Sequence, residues 1–114
     1  MNYYKNDIRH VRGDTYSCSF ILEDLGQEID EANFVCKDSL NDDGNILFNK
    51  TLNNGISKID EDELLDIKKY NVRIAPADTE NLQSGTYFYD LEIKVNGDTF
   101  TIMKGKFIIE QDIA

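Results

Sequence analysis

Apolar and polar side chains alternate along much of this chain with a period of two, the pattern of a strand that buries one face. The clearest run covers residues 87–95, in which every second position is apolar: Tyr87, Tyr89, Leu91, Ile93 and Val95. Shorter runs begin at Tyr16 and Tyr70. The pattern predicts β-strands in each of these segments, with their apolar faces directed into a core.

The dipeptide Asn96-Gly97 separates two alternating runs near the C-terminus. Asn-Gly favours a two-residue type I′ turn, because both positions of that turn require positive φ. A turn of this length fixes the register of the hairpin and places Val95 opposite Asp98. We therefore predict an antiparallel hairpin centred on residues 96–97.

The same register, continued along the hairpin, would turn Phe107 outward. One extra residue in the second strand corrects this, so we predict a β-bulge at Gly105, a usual position for a glycine within a strand. Tyr87 would then lie opposite Phe107, and Phe88 would lie across from Gly105.

A second hairpin is predicted around the segment NDDGN. A three-residue loop over residues 42–44, with Gly44 in the left-handed conformation, would pair Leu40 with Ile46 and Phe34 with Leu52. The segment DEDELLDIKK, residues 60–69, fits either a short helix or a loop that leads into the next strand.

Pro76 and Gly85 bound a predicted helical turn near residues 76–82. The segment LQSGTYFYDL that follows resembles a tyrosine corner, in which the Tyr87 hydroxyl would tie a strand to the preceding crossover loop. About seven short strands separated by turns predict an all-β, immunoglobulin-like antiparallel sandwich, with residues 1–114 as one domain.

Charge excludes several kinds of partner. The 114 residues include 22 acidic and 12 basic side chains, a net charge of −10. Nucleic-acid binding is not expected without clustered Lys and Arg, and an anionic membrane would repel the protein. No signal-peptide core is visible at the N-terminus, so we expect folding in a cytoplasm, with Cys18 and Cys36 as reduced, buried thiols.

Catalytic and metal-binding patterns are weak. The sole histidine, His10, lies beside Arg9 in a segment expected to be mobile or at an edge, where a surface histidine is the simplest interpretation. An EF-hand alignment on Gly44 places Ser39 first and Lys50 last, which fails at both ends. We predict no catalytic residue, no cofactor and no metal site, and regard the acidic run at residues 60–66 as a solvated loop.

Three segments in order carry a family resemblance: RGDTYSCSFILED, LQSGTYFYDLEI and GKFIIEQDI. Together they resemble small immunoglobulin-like proteins of tailed phages and prophages, in particular the N-terminal domain of the phage baseplate upper protein. The resemblance covers residues 8–113. It implies a non-catalytic sandwich that docks on other tail or baseplate proteins, in a virion assembled in the host cytoplasm. The alternative is a bacterial surface or adhesion module of the same fold, binding a protein or glycan.

The tripeptide Arg12-Gly13-Asp14 matches a known adhesion signal. In proteins with this resemblance the stretch opens the first long strand, so we expect Gly13 to permit a turn and Asp14 to accept backbone N–H bonds there. Arg12 is then incidental to the tripeptide, and adhesion through it is not expected.

Outward apolar positions identify a candidate contact face. In the predicted register Ile21, Phe88 and Met103 point away from the core, and Asp90 lies beside the last two. A contiguous apolar patch marks a contact surface. We expect self-association or docking on a tail protein through Phe88, Asp90 and Met103, unless a loop or the N-terminal segment covers them.

Overall fold

The computed structural model describes residues 4–41 and 43–113, most of which form strands. In chain order the elements are β1 (Tyr4–Lys5), β2 (Ile8–Val11), β3 (Tyr16–Glu23), β4 (Glu31–Lys37), β5 (Ile46–Leu52), β6 (Gly55–Asp62), β7 (Ile67–Ile74), α1 (Pro76–Thr79), β8 (Gly85–Val95) and β9 (Asp98–Glu110). The predicted all-β class is confirmed, and α1 lies at the predicted helical turn. The sequence did not predict β1, β2 or β6, which lack a clear run of alternating apolar residues.

The strands form two layers. Hydrogen bonding follows the order β1-β9-β8-β4-β5-β6-β7-β3, with β2 also paired to β9. The two layers meet at a short parallel contact between β5 and β6, where Thr51 lies opposite Gly55. One layer thus contains β3, β7 and β6, and the other contains β5, β4, β8 and β9. These pairings are those of strands B-E-D and C′-C-F-G in immunoglobulin domains, so the sandwich is immunoglobulin-like.

The C-terminal hairpin has the predicted turn but a different bulge. Asn96 and Gly97 have φ values of 51° and 85°, as a type I′ turn requires. Pairing then passes from Glu92 opposite Thr101 to Leu91 opposite Met103. The extra residue is therefore residue 102, and the predicted bulge at Gly105 is wrong.

Gly105 has another role. It lies opposite Tyr89 rather than Phe88. A Cβ atom at this position would collide with the main-chain carbonyl of Asn6 and would also approach the Asp7 carboxylate. The glycine is thus required by the close passage of the N-terminal segment across β9.

The hairpin between β4 and β5 has a longer connection than predicted. Phe34 lies opposite Lys50 and Cys36 opposite Phe48, so the predicted pair of Phe34 with Leu52 is wrong. The Asp38 carboxylate instead closes the connection by accepting the Asn45 N–H at 2.9 Å. Asp42, where the predicted loop began, lies outside the described residues.

The register error is two residues, because Phe34 pairs with position 50 instead of 52. An even shift keeps the paired residues 33–36 and 48–51 on their predicted faces, whereas a bulge after Cys36 places Ile46 opposite Lys37 on the outer face. Cys36 and Phe48 therefore remain inward, and both are buried in the core.

The ambiguous segment at residues 60–69 is neither a helix nor an open loop. It contains the end of β6, a turn over residues 63–66 and the start of β7. These two strands pair antiparallel from Ile56 opposite Val72 to Asp62 opposite Ile67.

The predicted tyrosine corner is present. The Tyr87 hydroxyl donates to the Gln83 carbonyl at 2.7 Å, which ties β8 to the crossover after α1. In immunoglobulin domains the corner tyrosine lies two residues before the second cysteine of the inter-sheet disulfide. Here that position is Tyr89, whose ring stacks on Phe34 with 5.1 Å between ring centroids. Tyr89 thus stands at the position of that cysteine, and its ring packs on Phe34 of β4, the neighbouring strand in the same layer.

His10 is buried, with 3% of its surface exposed, so the expected surface histidine is wrong. Strand β2 pairs with β9 and turns His10 into the core, where its ring contacts those of Tyr16 and Phe107. Its Nε2 lies 3.2 Å from the Thr79 hydroxyl. The interpretation failed because β2 is too short to show an alternating pattern.

The Arg12-Gly13-Asp14 tripeptide forms the turn between β2 and β3. The Asp14 N–H donates to the Val11 carbonyl at 3.1 Å, and Gly13 has a φ of 80°. Positive φ at the third residue is the requirement of a type II turn, which is the role expected for this glycine. The side chain that accepts a backbone bond here is Thr79, whose hydroxyl accepts the Gly13 N–H at 2.9 Å.

Candidate functional site

The outer face of the layer formed by β5, β4, β8 and β9 carries two rows of facing side chains. In one row Phe88 lies between Lys37 on β4 and Lys106 on β9. Directly opposed side chains on one face of a sheet are within contact distance. Lys37 and Lys106 are therefore the side chains that flank Phe88 across the sheet.

In the adjacent row Asp90 lies between Val35 on β4 and Lys104 on β9. Partial burial raises the pKa of the Asp90 carboxyl, and the positive charges of Lys37 and Lys104 oppose that rise. The lysines thus favour the ionised form of a carboxylate that burial alone would make more basic.

These two rows form the floor of an open groove with a volume of about 740 Å³. We call it the outer groove. Its lining comprises Lys5, Asp7, Val35, Lys37, Ser39, Leu40, Ile46, Phe88, Tyr89, Asp90, Glu92, Lys104, Gly105 and Lys106.

Charge distinguishes the outer groove from the rest of the molecule. Four of the nine lysines line it, beside three acidic side chains, so its lining has a net charge of +1. The whole chain has a net charge of −10, which leaves −11 on all other residues together. The groove is therefore a weakly positive region on a strongly negative protein.

Exposed apolar side chains form one rim of the groove. Leu40, in the connection after β4, is 80% exposed, and Ile46, at the start of β5, is 60% exposed. The sequence predicted that these residues pair within a hairpin, and so it did not indicate that both would border the Phe88 surface. In the sequence, the only indication of this rim is that an apolar residue stands on each side of a polar loop.

The N-terminal segment forms part of the opposite wall without closing the groove. The Asp7 carboxylate accepts the Lys106 N–H at 3.0 Å, and the Asn6 N–H donates to the Lys104 carbonyl at 3.0 Å. Phe88 remains partly exposed beside this wall. The alternative, that a loop or the N-terminal segment covers the face, therefore holds for its edge but not for its centre.

The structure brings together only two of the four residues predicted to bind a partner. Phe88 and Asp90 both line the outer groove. Met103 is 8% exposed and points inward, because the bulge precedes it in β9, so its predicted outward position is wrong. Ile21 is 55% exposed on β3, which belongs to the other layer, so it is remote from this surface in the fold.

Residues 4–41 and 43–113 contain no group of three or more His, Cys, Asp or Glu side chains arranged to hold a metal ion. Among the same residues, no helix has both the length and the apolar character needed to cross a membrane.

No protein-family model and no curated protein matches this chain. Solved structures do resemble it. The alignment with a family 123 glycoside hydrolase from Clostridium perfringens has a TM-score of 0.63 at 12% identity and covers 98% of this chain. This chain spans about a quarter of that enzyme, 24% of its length, and the likeness shows the fold alone. The extracellular domain of the voltage-gated sodium channel β4 subunit aligns over 99% of this chain and 97% of its own, with a TM-score of 0.44 at 10% identity.

Proposed function

We propose that this protein is a non-catalytic structural component of a phage or prophage virion that docks on another tail or baseplate protein through the outer groove. The virion assignment is supported by the resemblance of three ordered sequence segments to phage immunoglobulin-like proteins. Assembly would take place in the host cytoplasm. A bacterial surface or adhesion module is the alternative that the sequence left open.

The observation that carries the docking proposal is the partly exposed Phe88 ring between Lys37 and Lys106 on the floor of a groove. Aromatic side chains are enriched at the centres of protein interfaces, where they supply a large apolar area. The exposed rim residues Leu40 and Ile46 extend this apolar area beyond one side chain. A concave surface with an apolar centre and a charged border favours a protein partner.

The first experiment compares Phe88→Ser with Ile21→Ser in capture of tail and baseplate proteins from a lysate of phage-producing cells. Both substitutions remove a partly or largely exposed apolar side chain from a strand, but they lie on different layers of the sandwich. We expect Phe88→Ser to lose the captured tail proteins and Ile21→Ser to retain them. Retention by both variants, with circular dichroism showing that both are folded, would exclude the groove as the docking site.

The second experiment locates the protein. Purified virions are analysed by mass spectrometry and by negative-stain imaging with a label on this protein, and we expect it at the tail or baseplate. Recovery in the bacterial envelope, with none in virions, would instead support the surface-module alternative.

A further inference from the structure

A second exposed apolar site lies at the turn between β6 and β7. Leu64 is 97% exposed and Leu65 is 62% exposed. Acidic side chains surround them: Asp60, Glu61, Asp62, Glu63 and Asp66. We call residues 60–66 the acidic turn. Two adjacent exposed leucines within an anionic segment have the character of a ligand for a positive, apolar groove.

The base of the acidic turn is fixed to the sandwich. Lys68 is 5% exposed, and its Nζ lies 3.1 Å from the Asp66 carboxylate and 3.8 Å from that of Glu61. The second Asp66 oxygen accepts the Gly26 N–H at 2.6 Å. These contacts hold the turn in place, so that little conformational freedom is lost when it binds.

The tip of the turn is shaped by its own backbone contacts. The Asp62 carboxylate accepts the Leu65 N–H at 3.1 Å, which closes the turn around Glu63 and Leu64. The leucine side chains are left in solvent, and burying them against an apolar partner would remove their apolar area from water.

The acidic turn and the outer groove are complementary in two respects. The turn presents leucines and carboxylates, and the groove presents the Phe88 ring, the apolar rim and four lysines. The turn belongs to the layer of β6 and β7, whereas the groove opens on the outer face of the other layer. One molecule therefore does not fill its own groove with its own turn, and the complementary surfaces meet only between two copies.

We propose that the acidic turn of one copy docks in the outer groove of the next, with Leu64 and Leu65 against Phe88. The carboxylates of Asp62 and Glu63 then face the ammonium groups of Lys37 and Lys106. Because two different surfaces meet, the contact is heterologous and repeats from copy to copy until it closes into a ring or extends as a filament. This inference rests on the proposed function, since it assigns the same groove to a specific occupant.

The test is sedimentation velocity over a concentration series with two variants. The turn variant is Leu64→Ser, Leu65→Ser, which leaves net charge unchanged, and the groove variant is Phe88→Ser. A contact built on one turn is small, and small interfaces are weak, so we expect the wild-type sedimentation coefficient to rise gradually with concentration. Each variant alone should remain monomeric, and Ile21→Ser should behave as the wild type does.

An equimolar mixture of the two variants gives the decisive result. The turn variant retains its groove and the groove variant retains its turn, so the mixture should form heterodimers and stop there. The wild-type association should also weaken between 0.1 M and 1 M salt, where the screening length falls from about 10 Å to about 3 Å.

Three results would overturn the inference: a monomeric wild type at its highest soluble concentration, a turn variant that associates as the wild type does, or a mixture that stays monomeric. Capture of tail proteins separates this failure from that of the proposed function. The turn variant has an intact groove and should still capture them, whereas the groove variant should not.

Discussion

The Tyr89 hydroxyl donates a hydrogen bond to the main-chain carbonyl of Asn6 at 2.5 Å. Burial raises the pKa of the Tyr89 phenol well above its usual range, so the group remains a donor at neutral pH. This bond crosses from the aromatic core to the N-terminal segment that borders the outer groove. Tyr89 therefore links the position that replaces the immunoglobulin cysteine to a wall of the candidate site.

Tyr89→Phe should remove this bond with little change in packing. We expect the free energy of unfolding to fall by about 1 kcal/mol, the usual net contribution of one hydrogen bond. Hydrogen exchange should accelerate at the Asn6 N–H, which bonds the Lys104 carbonyl. Tyr87→Phe is the matched control, because it removes the bond to Gln83 at the corner and should leave exchange at Asn6 unchanged. Equal acceleration in both variants would contradict a local role for Tyr89.

Gly105→Ala should displace the N-terminal segment, because the new methyl group would occupy the place of the Asn6 carbonyl. Overpacking of this kind costs about 1–3 kcal/mol. The displacement should also break the bond from the Lys106 N–H to Asp7, so exchange at Lys106 should accelerate. Thr99→Ala, an exposed change at the other end of β9, should leave that exchange unaltered. An alanine variant as stable as the wild type would show that β1 is not held against β9.

Whether a feature of this fold could be predicted depends on how close together in the sequence the residues that determine it lie. The Asn96-Gly97 turn was predicted because both of its requirements lie in two adjacent residues. The requirement at Gly105 comes from Asn6, about a hundred positions earlier in the chain, and so the glycine was assigned to a bulge instead. The bulge at residue 102 carries no glycine, which removed the usual signal. Met103 was consequently placed on the wrong face.

The part of the candidate site that lies on one strand could be predicted from the sequence, and the part assembled from several elements could not. Phe88 and Asp90 were found because they alternate with the buried residues of β8. The lysines of the groove come from β4, β9 and the N-terminal segment, and no spacing along the chain brings them together. The sequence pattern does not distinguish a helix from a loop at Leu64 and Leu65, because an exposed turn has no periodicity. Their significance depends on the groove that another copy would offer.

Stability should depend on pH through His10. Burial lowers the pKa of His10 from its usual 6.5, and the nearby Asp14 charge opposes the shift only in part. Below pH 6.5 the unfolded chain therefore binds this proton more readily than the folded protein does. The contribution of neutral His10 to the free energy of unfolding is fully present above pH 6.5. It is lost as the pH falls through the lowered pKa of the folded state.

The measurement compares wild type with His10→Gln in chemical denaturation between pH 7.5 and roughly pH 5, across the ordinary histidine range. Glutamine can still bond the Thr79 hydroxyl but does not titrate. The difference in free energy of unfolding between the two proteins should shrink or reverse as the pH falls. A difference that stays constant over this range would mean that His10 has the same pKa in the folded and unfolded states.

Cys18 and Cys36 are both free, as the sequence predicted. Burial raises the pKa of Cys36 to about 12, and it also raises the pKa of the partly buried Cys18. The thiolate is the reactive form, so at pH 8 the native protein should be alkylated slowly at Cys18 and hardly at all at Cys36. In urea without reductant, mass spectrometry should find both modified. A bridged peptide would contradict the free thiols.

The last prediction separates the structural role of Gly13 from that of Arg12. Gly13 has a φ of 80°, a conformation that costs a residue with a side chain roughly 1–2 kcal/mol, so Gly13→Ala should destabilise the protein by about that amount. Arg12 pairs with the Asp112 carboxylate at 2.9 Å, with both side chains partly exposed. Such pairs contribute at most about 1 kcal/mol, so Arg12→Ala should cost less than the glycine change. Urea denaturation of both variants measures the order.

If host attachment can be assayed, the folded Arg12→Ala protein should attach as the wild type does, because the tripeptide is explained by the turn between β2 and β3. Loss of attachment in that variant, with stability retained, would make the tripeptide an adhesion site after all.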